Sequence, residues 1–117
     1  MEIKFIKLLL ILVFVNPISG KDWIISPSNN AQEEIQEALI LAEPGDQVLL
    51  TKGIYNLNHG LSLDIDNVSI LGAGMYETIL DFSNQETGAQ GLLVTSDNVL
   101  MQDFAIENAK GDAIKSK

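Results

Sequence analysis

Apolar residues follow two different periods along this chain of 117 residues. From residue 31 to residue 42 they recur at the spacing of one helix face, at Ala31, Ile35, Ala38, Leu39 and Ala42. This spacing predicts a single amphipathic helix. Asn30 is expected to be its N-cap, with Glu33 completing a variant of the capping box. Pro44 and Gly45 are expected to end it.

After Gly45 the helical period disappears. Short runs of Val, Ile and Leu follow, separated by Gly, Asn and Asp, a pattern typical of short strands joined by turns. The predicted strands are 48–50, 61–65, 68–71, 78–82, 92–95, 99–101, 104–106 and 112–114.

These runs resemble one another. An acidic residue and an amide precede a valine in Asp46-Gln47-Val48, Asp66-Asn67-Val68 and Asp97-Asn98-Val99. Glycine opens a second set of runs at residues 60, 91 and 111, and a third set places Ile54, Met75 and Ile106 inward. A repeat of twenty to thirty residues with three short strands predicts an all-β solenoid.

In such a solenoid, strand 61–65 lies parallel to 92–95, and strand 68–71 lies parallel to 99–101. The alternative is an ordinary antiparallel β-domain. The sequence lacks the two-residue Asn-Gly or Asp-Gly turns typical of hairpins, which counts against that alternative.

The amino-terminal segment, residues 1–20, has the layout of a signal peptide. Lys4 and Lys7 precede an apolar run, 8–15, and small residues follow at Ser19 and Gly20. We expect cleavage after Gly20, which leaves 21–117 as the mature domain, secreted or periplasmic and without a stable membrane anchor. A membrane-spanning helix is the alternative, but the apolar run is far shorter than the ~20 residues that a span needs.

Charge and composition exclude several classes of function. The chain has seven lysines, no arginine, sixteen carboxylates and a net charge of −9, so it repels the phosphates of nucleic acids. It has no cysteine, which excludes disulfides, cysteine nucleophiles and cysteine-ligated zinc. The same charge disfavours acidic polysaccharides, so a neutral polysaccharide is the better expectation for a glycan partner.

Three segments together resemble a known family. EPGDQVLLTKGIY (43–55), DNVSILGAG (66–74) and DNVLMQDFAIENAKGDAI (97–114) resemble the right-handed parallel β-helix proteins of the pectin-lyase-like superfamily, in particular bacterial parallel β-helix repeat proteins. The resemblance implies a right-handed parallel β-helix whose amino-terminal helix covers the open end of the coil with Ile35, Leu39 and Ala42. It also implies that 21–117 is the cap and about the first three coils of a longer protein.

The resemblance suggests one metal ligand. Gly111-Asp112-Ala113-Ile114 is similar to the strand on which calcium-dependent pectate lyases carry a ligand aspartate, which makes Asp112 a candidate calcium ligand. Lys110 stands where those enzymes often have a second aspartate, and it would repel the ion. Calcium needs six or more oxygens, which Asp112 alone cannot supply. The catalytic residues of such an enzyme stay unknown from these residues.

Other side chains suggest weaker sites. Tyr55 and Tyr76 each follow an expected inward residue, so we expect them to lie on the outer surface, where they could stack on sugar rings. Asp64 and Asp66 alternate with apolar residues and are expected to point outward together. His59 lies in a turn and is expected to be an exposed loop residue.

A complete enzyme within these residues is not expected, although a longer protein could be a polysaccharide lyase or hydrolase. Two functions remain open for the mature chain. One is an exported β-helix that binds or acts on a polysaccharide. The other is a non-catalytic structural or interaction protein of the cell envelope. The fold hosts both classes, so the fold alone does not decide between them.

Overall fold

The computed structural model describes residues 20–117, which form a mostly β structure with one helix. Apart from Gly20, the segment expected to be a signal peptide lies outside the described residues. The helix α1 spans Ala31–Leu41. The strands are β1 (Asp22–Ile25), β2 (Gln47–Leu50), β3 (Gly53–Asn56), β4 (His59–Leu63), β5 (Ser69–Leu71), β6 (Thr78–Asp81), β7 (Thr87–Val94), β8 (Leu100–Gln102), β9 (Ala105–Glu107) and β10 (Asp112–Ser116).

The strands form three short sheets, and every pairing among them is parallel. Sheet A has the order β1-β2-β5-β8, sheet B has the order β3-β6-β9, and sheet C has the order β4-β7-β10. From β2 onward the chain therefore visits sheets A, B and C in the same order three times. We call each such passage of three strands a round.

The predicted strand neighbours are confirmed. Leu61 pairs with Leu92, and Ser69 pairs with Leu100, both in parallel register. The amide of Leu100 donates to the carbonyl of Val68, 3.2 Å away. The antiparallel alternative is thereby wrong for these strands.

The first copy of the repeat has a different register from the predicted one. Val48 pairs with Ile70 and not with Val68, so the first round is shifted by two residues against the second. The residue equivalent to Asn67 and Asn98 is then Gly45, and all three have positive φ, at 98°, 61° and 57° for Gly45, Asn67 and Asn98. Glycine and asparagine are the residues that adopt this left-handed conformation most readily, so the turn conformation is what repeats.

A similar shift of two residues affects the last round. Ile114 pairs with Leu92, so Gly91 stands opposite Ala113 and not opposite Gly111. The spacing of the two glycines is therefore two residues shorter than the offset between paired residues in these strands. The prediction of a strand there is confirmed, and β10 extends to Ser116.

Apolar side chains from all three sheets and from one face of α1 form a single core. Leu50, Leu63, Leu80 and Val94 are buried in its strands. Ile35 and Leu39 of the helix and Ala42 at its C-cap are buried as expected. Burying apolar surface contributes a free energy of about 25 cal/mol per Å². In a protein without disulfides, this shared core is therefore the main source of stability.

The amino-terminal cap of α1 differs from the expectation. Asn30 is the N-cap residue, but its side chain makes no capping hydrogen bond. Ser28 takes over this end of the helix, since its hydroxyl accepts from the amide of Asn30 at 3.1 Å and donates to the Glu34 carboxylate at 3.0 Å. The capping-box interpretation with Glu33 is therefore wrong.

Strand β3 was not predicted. The residue expected to point inward, Ile54, points outward, and its neighbour Tyr55 points inward. Tyr55 is fully buried, whereas Ile54 is 56% exposed. Met75 is also exposed, so only Ile106 among the three expected inward residues packs against the core. Two adjacent apolar residues fit either phase of a strand, and here the longer side chain occupies the inside.

The extra residues of the second round form a bulge in sheet C, in the first half of β7. His59 pairs with Thr87 and Leu61 with Leu92, so β7 has three more residues than β4 in this interval. The buried side chain of Gln85 holds the bulge, because its Nε2 lies within 3.2 Å of the carbonyls of Thr87, Gly88 and Gln90. A polar side chain in an apparent loop gave no sequence signal for this role.

Within residues 20–117, no helix is long and apolar enough to cross a membrane.

Candidate functional site

A concave groove lies beside α1 and β4. It has two adjoining parts, of about 560 and 500 Å³, which share Gln36 and Ile40. We call it the α1–β4 groove. The first part is completed by Gln32, Glu33, Glu37, Leu41, His59 and Gly60. The second part is completed by Leu39, Ser62, Asp64 and Ile65.

Two glutamines of the helix fix the groove's shape. Gln36 accepts a hydrogen bond from the amide of Ser62 at 3.0 Å and donates one to its carbonyl at 3.1 Å, as a neighbouring strand would. Gln32 Oε1 accepts from the amides of Asn58 and His59, each at 3.1 Å. The free edge of β4 is thereby satisfied, and α1 is held against sheet C.

His59 lies at the end of the groove. It is half-buried at the start of β4, and its Nδ1 is 2.6 Å from the hydroxyl of Thr87. The expectation of an exposed loop histidine is therefore wrong. The hydrogen bond to Thr87 fixes the ring's orientation and leaves Nε2 without a protein partner among the described contacts.

The groove combines apolar side chains with carboxylates. Ile40 is 63% and Leu41 55% exposed, and Glu33 and Glu37 lie on the same helix. On the opposite side, Asp64 accepts a hydrogen bond from the hydroxyl of Thr95 at 2.7 Å. No lysine lines either part. Such a surface can accept hydrogen bonds from hydroxyl groups and cover an apolar face, and it repels anions.

The two tyrosines have different environments. Tyr76 is 83% exposed, as predicted, but it lies between β5 and β6, away from the groove. Tyr55 is completely buried, with its hydroxyl 2.9 Å from the carbonyl of Ile25 and 2.7 Å from that of Thr51. Burial raises the pKa of Tyr55 despite these hydrogen bonds. Its assignment to carbohydrate binding is therefore wrong, since no ligand can reach the ring.

Asp112 lies at the start of β10, exposed and opposite Gln90. Among residues 20–117, no group of three or more histidine and acidic side chains is placed to hold a metal ion. A calcium site at Asp112 thus stays a prediction without further ligands on the described residues.

The remaining acidic candidates are held by local hydrogen bonds. Asp64 and Asp66 are exposed as predicted, and Asp66 accepts from the amide of Asp97 at 2.8 Å. Asp81 accepts from Ser83 and Asn108, and these hydrogen bonds lower the pKa of its carboxyl group. The hydrogen bonds from Asp97 to Asp66 and from Asn108 to Asp81 join neighbouring rounds, which gives these carboxylates a structural role.

Sequence reasoning did not find the groove. Gln32 and Gln36 are spaced four residues apart beside the buried stripe of α1, which is the available signal, but glutamine is common on exposed helix faces. The contact of their side-chain amides with the edge of β4 is visible only in the folded structure.

Neither a scan against protein-family models nor searches of curated proteins and of solved structures found a match to this chain.

Proposed function

We propose that this protein is an exported right-handed parallel β-helix, cleaved after Gly20, that binds a neutral polysaccharide in the α1–β4 groove. The repeated A, B, C order of parallel strands supports the β-helix. Parallel neighbours joined by a crossover in one sheet are right-handed in ≈ 98% of cases, which supports the hand. In this proposal α1 is the cap of the coil.

The composition of the groove carries the glycan proposal. A sugar ring offers hydroxyl donors around its edge and a partly apolar face. The groove offers carboxylates on Glu33, Glu37 and Asp64 beside the exposed side chains of Ile40 and Leu41. The absence of lysine from its lining favours an uncharged ligand over pectate or alginate.

The groove supports binding more strongly than catalysis. Its polar groups are anchored on a helix and on a strand edge, which suits recognition by prepositioned groups. Polysaccharide binding is therefore the proposed activity.

Titration of the 15N-labelled protein with neutral and acidic oligosaccharides tests this proposal. Neutral cello-, xylo-, manno- or malto-oligosaccharides should shift the amide signals of Gln32, Gln36 and Ser62, and oligogalacturonate should not. Glu37→Gln should weaken binding about tenfold, as expected for loss of one hydrogen bond to a charged group. Glu107→Gln, which removes an exposed carboxylate from sheet B, is the matched control. Shifts confined to residues around Tyr76, or no shifts at all, would contradict the groove assignment.

A second surface favours the alternative, a non-catalytic interaction protein of the cell envelope. Ile24, Leu49 and Leu71 are aligned on the outer face of sheet A, and Ile24 is 68% exposed. They border a hollow of about 400 Å³. Exposed apolar side chains in a row are typical of protein contacts.

Retention on isolated cell envelopes separates the two functions. Glycan binding predicts that a neutral oligosaccharide releases the protein and that Ile24→Ser has no effect. An interaction role predicts that Ile24→Ser abolishes retention and that the oligosaccharide has no effect.

A further inference from the structure

Asp46 occupies a position that the later rounds fill with valine. In the register of sheet A, Asp46 is equivalent to Val68 and Val99. Only 6% of Asp46 is exposed. A carboxylate in such a position is costly unless several donors surround it, so the reason for its presence lies in what it binds.

Three donors surround the Asp46 carboxylate. Its Oδ1 accepts from the backbone nitrogen of Lys21 at 2.8 Å. Its Oδ2 accepts from Trp23 Nε1 at 3.0 Å and from the amide of Glu43 at 2.9 Å. While a residue precedes Lys21, all three donors are neutral. The hydrogen bonds hold the pKa of Asp46 below its usual range, chiefly those from Glu43 and Lys21.

The residue before Lys21 has almost no room. A Cβ placed on Gly20 would overlap the carbonyl oxygen of Gly45. Any larger residue before Lys21 would require the backbone at Gly20 or Gly45 to shift. Small residues are also what an export-linked signal peptidase accepts at the end of the segment it removes. Glycine at position 20 thus suits both the packing of the unprocessed chain against Gly45 and cleavage of the Gly20–Lys21 bond.

We propose that the mature protein begins at Lys21 and that Asp46 binds its new α-ammonium group, so that processing completes a buried ion pair at the start of β1. The inference rests on the cleavage assigned under the proposed function, and it adds the receptor for the new terminus. Export processing then has a structural consequence, because it converts a neutral donor to Asp46 into a charged one.

The chemistry of this step is hydrolysis of one peptide bond. Water adds across the Gly20–Lys21 amide, Gly20 leaves with a carboxylate, and the Lys21 nitrogen becomes an amine that is protonated to an ammonium. The position of that nitrogen need not change, since it is already 2.8 Å from Asp46 Oδ1. Hydrogen bonds with a charged donor are roughly twice as strong as neutral ones.

The other charged groups around this nitrogen are few. Strand β1 and the residue before it contribute Asp22 and the Lys21 side chain, whose Nζ lies 3.8 Å from the centre of the Trp23 ring. The turn before β2 contributes Glu43, whose side chain is exposed. The amide of Gln47 in sheet A donates a hydrogen bond to the carbonyl of Lys21, which fixes the terminus from its other side.

The contribution of this ion pair to stability should fall as the pH rises into the alkaline range. An α-amino group has an ordinary pKa of about 7.7–8.0, and pairing with Asp46 should raise it by about 1. Stability from the pair is therefore complete below the ordinary value, at about pH 7. It is lost as the pH rises through the higher pKa of the folded protein, near pH 9.

The first experiment determines where the exported protein begins. The full chain is secreted from a host that has a signal peptidase, and the amino terminus of the product is sequenced. Lys21 as the first residue is the expected result. A mature product that begins at any other residue would overturn the proposal.

The second experiment measures the amine itself and does not depend on export. Proteins with free amino termini at Lys21 and at Gly20 are made by cleavage of a removable tag, each with Asp46 or with Asp46→Asn. NMR titration of the terminal amine should give a pKa about 1 higher for the Lys21 protein than for the Gly20 protein. The midpoint of thermal unfolding should be about 4–8 °C higher for the Lys21 protein at pH 7, and Asp46→Asn should abolish that difference. Glu43→Gln, which removes a nearby charge without removing a hydrogen bond to Lys21, should leave it in place.

The Gly20 and Lys21 proteins contain the same folded residues, so the comparison remains informative even if Asp46→Asn prevents folding. Equal amine pKa values and equal unfolding temperatures would overturn the ion pair. Neither result depends on oligosaccharide binding. Failure of the glycan proposal and failure of this one are therefore distinguishable.

Discussion

The hydroxyl group of Tyr55 connects three parts of the fold. The ring lies inside sheet B opposite Leu80, and the hydroxyl reaches the carbonyls at the ends of β1 and β2. Buried carbonyl groups without a donor cost about 1–3 kcal/mol each. The tyrosine therefore serves packing and hydrogen bonding at the same time, which explains why it is inside and the smaller Ile54 is outside.

Tyr55→Phe tests this role. The substitution keeps the ring and removes the hydroxyl, so the free energy of unfolding should fall by about 1–2 kcal/mol in urea denaturation at pH 7. Because the pKa of Tyr55 is raised, the native protein should also lose stability as the pH rises above about 10. The Phe variant should lack this alkaline loss. Tyr76→Phe is the matched control and should change neither quantity, since Tyr76 is exposed.

The environments of single residues were only partly predictable. The outward orientation of Asp64 and Asp66 followed from strict alternation with Leu63 and Ile65. Tyr55 and Ile54 are adjacent and both apolar, so alternation alone does not say which one is inside. The choice depends on hydrogen bonds from the Tyr55 hydroxyl to the carbonyls of Thr51 and of Ile25, which is distant in sequence. Alternation of apolar residues does not reveal these hydrogen bonds.

At the scale of elements, α1 covers the first strands with its apolar stripe and satisfies an edge with its amides. The stripe buries Ile35, Ala38 and Leu39, and Gln36 pairs with Ser62 of β4. Both interactions protect the start of the sheets from pairing with other chains. The helix was predictable because its period runs for three turns, whereas its contact with the strand edge was not.

Leu39→Ala measures how much the helix contributes. The side chain is 1% exposed, so truncation should lower the free energy of unfolding by about 2–5 kcal/mol. Ile40→Ala is the matched control, because the neighbouring side chain is 63% exposed and should cost less than about 0.5 kcal/mol. A change below half a kcal/mol for Leu39→Ala would show that α1 does not cover the core.

The turns explain why the sequence predicts the repeat but does not predict the register of its first copy. Asn67 and Asn98 are equivalent and share a left-handed backbone, and in the first round Gly45 takes the same conformation. Glycine and asparagine look different in sequence, whereas the conformation is the same. Similarity of residue type aligns Asp46 with Asp66, whereas the observed register makes Asp46 equivalent to Val68.

At the scale of the whole molecule, every sheet grows by one parallel strand in each round. Paired residues are distant in sequence, such as Gln47 and Ser69, or Leu61 and Leu92. The order of the sheets followed from the repeat, but the bulge at Gln85 did not, since it depends on a side chain that binds three carbonyls. The candidate groove also arises only at this scale, where the helix meets sheet C.

The parallel order of the three rounds is the central claim, and a map of backbone nuclear Overhauser effects tests it most directly. In the 13C,15N-labelled protein, the account predicts contacts of Leu92 with both Leu61 and Ile114, and contacts of Ile70 with both Val48 and Met101. Contacts between consecutive strands in antiparallel register, such as Leu61 with Ile70, would contradict it.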